Sequence, residues 1–144
     1  MLETILVIGL LSVVDGDTVR YQGETYRLQG LNTPETHGAQ CESERQVGDE
    51  AKDVLVRLVR EAKVVEIRTE HLKDRYQRSL GRLYIDGRSW ADMAVTTPSR
   101  SVRGWMLAER YDCPQGHCPR RRNWCENAGF LQGLFERLFG RRWW

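Results

Sequence analysis

An α+β fold is predicted for this chain, with five strands closing into a small barrel and two or three helices beside them. Three observations support it: short β-rich runs joined by Asp-Gly and Gln-Gly turns up to Leu31, a change to helical period after Pro34, and two further β-rich runs ending at a second Asp-Gly. A chain of 144 residues that is 40% hydrophobic can fill one core well and is too short for two independent ones. The expected organisation is one domain over residues 1–125, irregular and inserted at 96–119, followed by a C-terminal amphipathic helix and tail over 126–144.

Ile5 to Val14 and Thr18 to Tyr21 are β-rich and separated by Asp15-Gly16, a pair that tolerates positive φ and so signals a hairpin turn. Ile5 to Leu11 reads as a first, buried strand, because it lacks a preceding Lys or Arg and is far shorter than a membrane span. A turn at Gln22-Gly23 leads into Thr25 to Leu31 and completes a three-strand meander. After Pro34, Val47, Ala51, Val54, Leu55, Leu58, Val59 and Ala62 recur at three- and four-residue spacing, which marks one face of a helix. Ser43, with Gln46 three residues later, is placed to form its capping box.

Val64 to Ile67 and Ser79 to Ile85 read as two more strands, with Leu83 and Ile85 on one face and Asp86-Gly87 closing the second. Ser89 to Val95 reads as a short helix. Five strands with a long helix after the third is the element order of an OB-type barrel. Thr96 to Pro119, punctuated by Pro, Gly and Cys, has no clean period and is read as an irregular surface segment. Phe130, Leu131, Leu134, Phe135, Leu138 and Phe139 then mark a short amphipathic helix before Gly140, two arginines and Trp143-Trp144, read first as docking on the barrel or a neighbouring subunit and second as contact with a membrane surface.

The formal charge of +2, from 22 basic and 20 acidic side chains, does not by itself identify a nucleic-acid binder. Position says more. From Thr96 onward every Lys/Arg position is arginine (Arg100, Arg103, Arg110, Arg120, Arg121, Arg122, Arg137, Arg141, Arg142), opposed by Glu109, Asp112, Glu126 and Glu136, which gives the last third a phosphate-seeking character. Four cysteines, Cys41, Cys113, Cys118 and Cys125, allow three disulfide connectivities and lean toward an oxidising, extracytoplasmic setting, while the missing signal pattern argues the other way. Cys113, His117, Cys118 and Cys125 fit no paired Cys-x-x-Cys knuckle, so disulfides are preferred to zinc, with Cys41–Cys125 and Cys113–Cys118 the favoured pairing.

Three short pieces carry chemistry: Asp15-Gly16-Asp17-Thr18, then Arg27-Leu28 through Asn32-Thr33-Pro34-Glu35, then Asp74-Arg75-Tyr76-Gln77-Arg78. Each alone reads as readily as a turn, a helix entry or a solvated edge. Together and in this order, with Glu44, Gly48 and Ala51 on the helix, they resemble the staphylococcal nuclease family from Val13 to about Val95, and Arg120 to Cys125 resembles the basic, tryptophan-containing tail of many bacterial members. The resemblance implies a calcium-dependent nuclease with its site at a barrel mouth, Asp17 as a metal carboxylate and the Thr33 carbonyl beside it. It also implies that Arg75 and Tyr76 contact the nucleotide and its phosphate.

The residue types suit that chemistry. Water attacking an anionic phosphodiester requires a hard cation, a base and positive charge for the developing oxyanion. Asp17, the Asn32 amide oxygen and Thr33 can ligate calcium, Glu35 is the candidate base, and Arg27 and Arg78 can each offer paired hydrogen bonds to phosphate. Asp15 is either a second-layer partner of the site or a plain turn residue. Where the family usually has a second metal carboxylate this chain has Asn32, so weaker metal binding or a shifted preference is expected. The expected partners are DNA and RNA, single strands preferred, with no small-molecule cofactor and with membrane contact not favoured, the chain acting as a monomer or weak oligomer; the alternative is a non-catalytic nucleic-acid-binding module.

Overall fold

A computed structural model describes residues 1–114 and 117–125. The helix expected from Phe130 to Phe139 and the rest of 126–144 lie outside them. The apolar run expected as one strand is divided into β1 (Glu3–Leu6) and β2 (Leu11–Asp15), with Gly9 at φ 88° between them. The expectation of a buried first strand is corrected here. Ile5 and Val7 pack on the core, while Leu6, Ile8 and Leu10 are 53, 75 and 82% exposed, because β1 is an edge strand with one covered face.

From β2 the chain runs into β3 (Thr18–Tyr21) and β4 (Glu24–Leu28) as the expected antiparallel meander. The β2–β3 turn falls on Gly16-Asp17, one residue later than expected, with a register shift between Val13 and Asp15. Neither turn residue has positive φ. Glycine is needed at 16 for space: a Cβ there would stand 2.7 Å from Thr33 Cγ2 and 3.0 Å from Ala51 Cβ. Gln22-Gly23 (φ 49° and 77°) and Asp86-Gly87 (φ 49° and 78°) do take the left-handed conformations of a tight hairpin turn.

The long helix α1 (Glu42–Glu61) buries Val47, Ala51 and Leu55, with Val54, Leu58, Val59 and Ala62 partly covered, as the period predicts. The capping box does not form. Ser43 lies inside the first turn and Cys41 is the N-cap, because the preceding loop folds back on Glu44, whose Oε2 accepts from Gln40 N at 2.9 Å and Oε1 from Glu35 N at 3.4 Å.

β6 (Val65–Thr69) and β7 (Ser79–Ile85) follow, and β7 pairs antiparallel with β6 and parallel with β4. Leu83 and Ile85 share its buried face. β8 (Arg88–Ser89) extends the sheet and leads into α2 (Trp90–Thr96), where Ser89 Oγ accepts from Asp92 N. Leu31 leaves the meander for β5 (Gly30–Asn32), which pairs with β9 (Glu109–Tyr111). The segment expected as irregular surface therefore holds a strand and buries Trp105, Leu107, Ala108 and Tyr111. Its apolar residues are too sparse for a period, and the strand exists through a partner far back in the chain.

A closed five-stranded barrel was expected. The described residues form an α+β fold with a mixed sheet in the order β1-β6-β7-β4-β3-β2, β8 beside β7, and a separate β5–β9 pair. No pairing joins β1 to β2 to close it, because the chain turns away at Gly9. The disulfides are Cys41–Cys125 and Cys113–Cys118, the favoured pairing, and no cysteine is left free to bind zinc. Two disulfides are consistent with an extracytoplasmic protein. Cys125 sits beside a second small core in which Trp124 meets Trp105, ring centres 5.5 Å apart, over Val47. No helix among the described residues is long and apolar enough to cross a membrane.

Candidate active site

The β2–β3 turn, the β4–β5 corner and the loop before α1 converge on Asp17. Trp90 Nε1 donates to Gly16 O at 2.6 Å and Leu28 N to Asp17 O at 2.8 Å, so α2 and β4 both hold the turn. The buried Asp17 carboxylate accepts from Thr18 Oγ1 (3.0 Å) and Thr33 N (3.1 Å) and lies 3.5 Å from Arg27 Nη2. Arg27 is buried too. Its Nη1 donates to Leu28 O (2.5 Å) and Leu31 O (3.1 Å), and its Nη2 to Asn32 Oδ1 at 3.3 Å. Asp17, Arg27, Asn32 and Thr33 thus form one linked group.

Glu35 stands next to it. Thr36 Oγ1 donates to Asp15 Oδ1, and Glu44 holds Glu35 N, so Asp15 and Glu44 tie the Glu35 loop down. Gly48 permits this: a Cβ there would be 2.7 Å from Pro34 O and 3.0 Å from Glu35 O. The motif residues Gly48 and Ala51 are therefore the positions where α1 admits the loop and the turn. Glu35 is open to solvent at the rim, yet enough protein crowds its carboxyl to remove part of its hydration. That partial burial, followed by Asp17 and Asp15, raises its pKa.

Arg78 is held by Asp74, which accepts from Tyr76 N and Arg78 N at 2.9 Å each and from Arg78 Nε at 2.7 Å. Burial opposes the Asp74 charge, but these donors outweigh it and lower its pKa. Arg78 lies within electrostatic reach of Arg27. Arg75 and Tyr76 are on the same exposed turn, with the Arg75 and Arg78 guanidinium carbons 4.9 and 5.4 Å from the Tyr76 ring centre. No contact joins Arg75 or Tyr76 to the Asp17 group among the described residues.

Two neighbours, Glu109 and Tyr111, were given no site role by sequence reasoning, and Arg121 was singled out there only as part of the basic tail. Asn32 Nδ2 donates to Glu109 Oε2 at 3.1 Å, which places a carboxylate beside the position where this chain has an amide. Tyr111 is on the same short strand, and Arg121 Cζ lies 5.3 Å from its ring centre. No spacing in the sequence announces them. A cleft of about 470 Å³ between α1 and the segment around Pro98 is lined by other residues, Glu50, Asp53 and Arg100 among them, and by none of the Asp17 group.

The model for the family described as "Staphylococcal nuclease homologue" matches residues 25–97, just over half of the chain. The chain belongs to the staphylococcal nuclease family. No curated protein matches it. Membership agrees with the sequence resemblance and suggests a nuclease-like function acting on nucleic acid; many members use calcium. The donor set fits a hard cation: Asp17, Asn32, Thr33 and Glu109 offer oxygen atoms, and the buried Thr33 Oγ1 has no hydrogen-bond partner among the described residues.

Crowding at Glu35 has a measurable consequence. With its folded pKa raised, the folded state keeps a proton that the unfolded state has released, so calcium-free stability falls as pH rises from the ordinary glutamate value through the raised one. Glu35→Gln should therefore be more stable than the wild type at neutral pH in chelator, and the gain should vanish below the carboxylate range. Urea unfolding at both pH values checks this; a gain independent of pH would remove the assigned crowding.

Proposed function

We propose that this staphylococcal nuclease homologue is a calcium-dependent endonuclease that hydrolyses phosphodiester bonds of single-stranded or locally opened DNA and RNA with little sequence specificity. The observation that supports it best is the linked, buried Asp17–Arg27–Asn32–Thr33 group with Glu35 at its rim. Residues 1–125 act as one domain of the OB type that the family implies, with 126–144 appended. The enzyme works as a monomer or weak oligomer in a secreted or extracytoplasmic bacterial setting, consistent with its disulfides.

Asp17, Asn32 and Thr33 would hold the calcium ion, and Glu109, bonded to the Asn32 amide, returns a negative charge beside it. When bound, calcium supplies Lewis-acid polarisation of a phosphoryl oxygen and neutralises charge. Glu35 takes the proton of the attacking water, a role that suits a carboxylate with reduced hydration. The short Nη1 bonds hold the plane of Arg27, and its longer Nη2 contacts, at 3.3 and 3.5 Å, are those a phosphate oxygen can replace as charge develops. Arg78, steadied through Nε by Asp74, offers its other nitrogens to the same phosphate. Arg75 and Tyr76 bind the adjoining nucleotide. Stacking and phosphate contacts do not read base edges, so selectivity is low.

Incubating the protein with single-stranded DNA, first with calcium and then with chelator, tests this reading. Cleavage with calcium and none in chelator is expected. Binding without cleavage under both conditions would favour the non-catalytic module, the reading that Asn32 supports by removing one site charge. Asn32→Asp sets a carboxylate against Glu109, so calcium affinity should rise at least about threefold by charge count. An unchanged calcium titration would take position 32 out of the ligand set.

A further inference from the structure

Arg120, Arg121 and Arg122 follow one another, yet the structure gives them different surroundings. Arg122 serves as a peg: its guanidinium carbon lies 4.8 Å from the Trp105 ring centre and 4.6 Å from that of Trp124, and its backbone N donates to Glu109 Oε2 at 2.9 Å. Trp124 is buried and Cys125 is bridged to Cys41. The backbone just after Arg121 is thus pinned at Glu109, whose other neighbour is Asn32. Arg121 itself lies over Tyr111, which pairs with Gly30 two residues before Asn32.

Arg27 is committed to backbone carbonyls and to Asp17, and Arg78 to Asp74. Arg121 makes no ion pair among the described residues. Burial weakens its hold on the proton, but Tyr111, Asp17 and Glu35 outweigh that, so its guanidinium is within electrostatic reach of both site carboxylates. A cation ordered by an aromatic face and a pinned backbone loses little freedom on gripping an anion.

We propose that Arg121 is a third arginine of the site, donating a forked pair of hydrogen bonds to a phosphate of a single strand that crosses Tyr111. This rests on the reading of the protein as a nucleic-acid enzyme. Its place over Tyr111, with the adjoining backbone bonded to Glu109 and Glu109 to Asn32, assigns it a phosphate next to the Asp17 group, and the Tyr111 ring offers a stacking surface for the neighbouring base.

The test is binding of a short single-stranded oligonucleotide in calcium, with Glu35→Gln as the parent so that the strand survives, over a range of salt. Adding Arg121→Ala should weaken binding at least about tenfold and reduce the slope of log affinity against log salt by about 0.7, the share of one phosphate contact on a single strand. Arg121→Lys should recover only part of the affinity, because ammonium cannot fork. Arg60→Ala, the same charge change in the last turn of α1, should leave both nearly unchanged. If Arg121→Ala matches Arg60→Ala in affinity and slope, the proposal is wrong while the nuclease reading stands. If wild-type protein binds without cleaving, the catalytic reading fails and the binding comparison still decides for or against Arg121. Absence of any binding by the parent overturns both.

Discussion

Glu35→Gln and Arg27→Ala should each lower the turnover of single-stranded DNA at least about a hundredfold at saturating calcium, since under the proposed function each removes a group needed mainly in the transition state. The two differ in what else they disturb. Glu35 is at the rim, where its backbone rather than its carboxyl is held by Glu44, so the glutamine variant keeps its fold. Arg27 is buried and serves Leu28 O, Leu31 O, Asn32 and Asp17 at once. Truncating it leaves those acceptors and a buried carboxylate unpaired, at a cost of about 3 kcal/mol or more. Arg27→Lys separates the effects by keeping the charge and losing the fork; it too should fall about a hundredfold, with a smaller loss of stability. Initial rates beside melting curves decide the matter, and near wild-type rates in folded variants would dismiss the assigned base and arginine.

The second large effect concerns stability. Cys41 and Cys125 are 84 residues apart, so their bridge removes a long loop from the unfolded ensemble. Replacing both by alanine should cost roughly 2–5 kcal/mol, toward the upper end for a loop of this length. It should also free the Trp124 and Arg122 anchorage that rests beside Trp105. The Cys113–Cys118 bridge spans 5 residues and its loss should cost less. Denaturant unfolding of the two double variants checks the order; a loss below about 1 kcal/mol at Cys41–Cys125 would show that the unfolded chain is not held apart in this way.

These expectations differ in how far they were visible beforehand. Glu35, Arg27 and Asp17 belong to linear motifs, and the geometry links Arg27 to Asp17 and sets Glu35 beside them. The pairing of Arg27 with protein acceptors, rather than with open solvent, was not legible, because the partner carbonyls belong to a corner that exists only once β4 and β5 part. Family resemblance found Asn32 as a departure. It could not find Glu109, which is 77 residues away and reaches Asn32 through the β5–β9 pairing.

By itself the sequence determined α1, α2, β7 and the tight turns at Gln22-Gly23 and Asp86-Gly87, because side-chain period and local φ preference act within a few residues. It also offered the side chains whose types suit phosphodiester chemistry. The tertiary structure alone decided that the first apolar run splits at Gly9 into an edge strand and a meander strand, that the hydrogen-bonded sheet stays open, and that Gly16 and Gly48 answer to space rather than to φ. It alone brought Glu109 to Asn32, Tyr111 opposite Gly30 and Arg121 over Tyr111. Such placements depend on pairing and burial between residues distant in the chain, and that long-range contact leaves no periodic trace in the segments that make it.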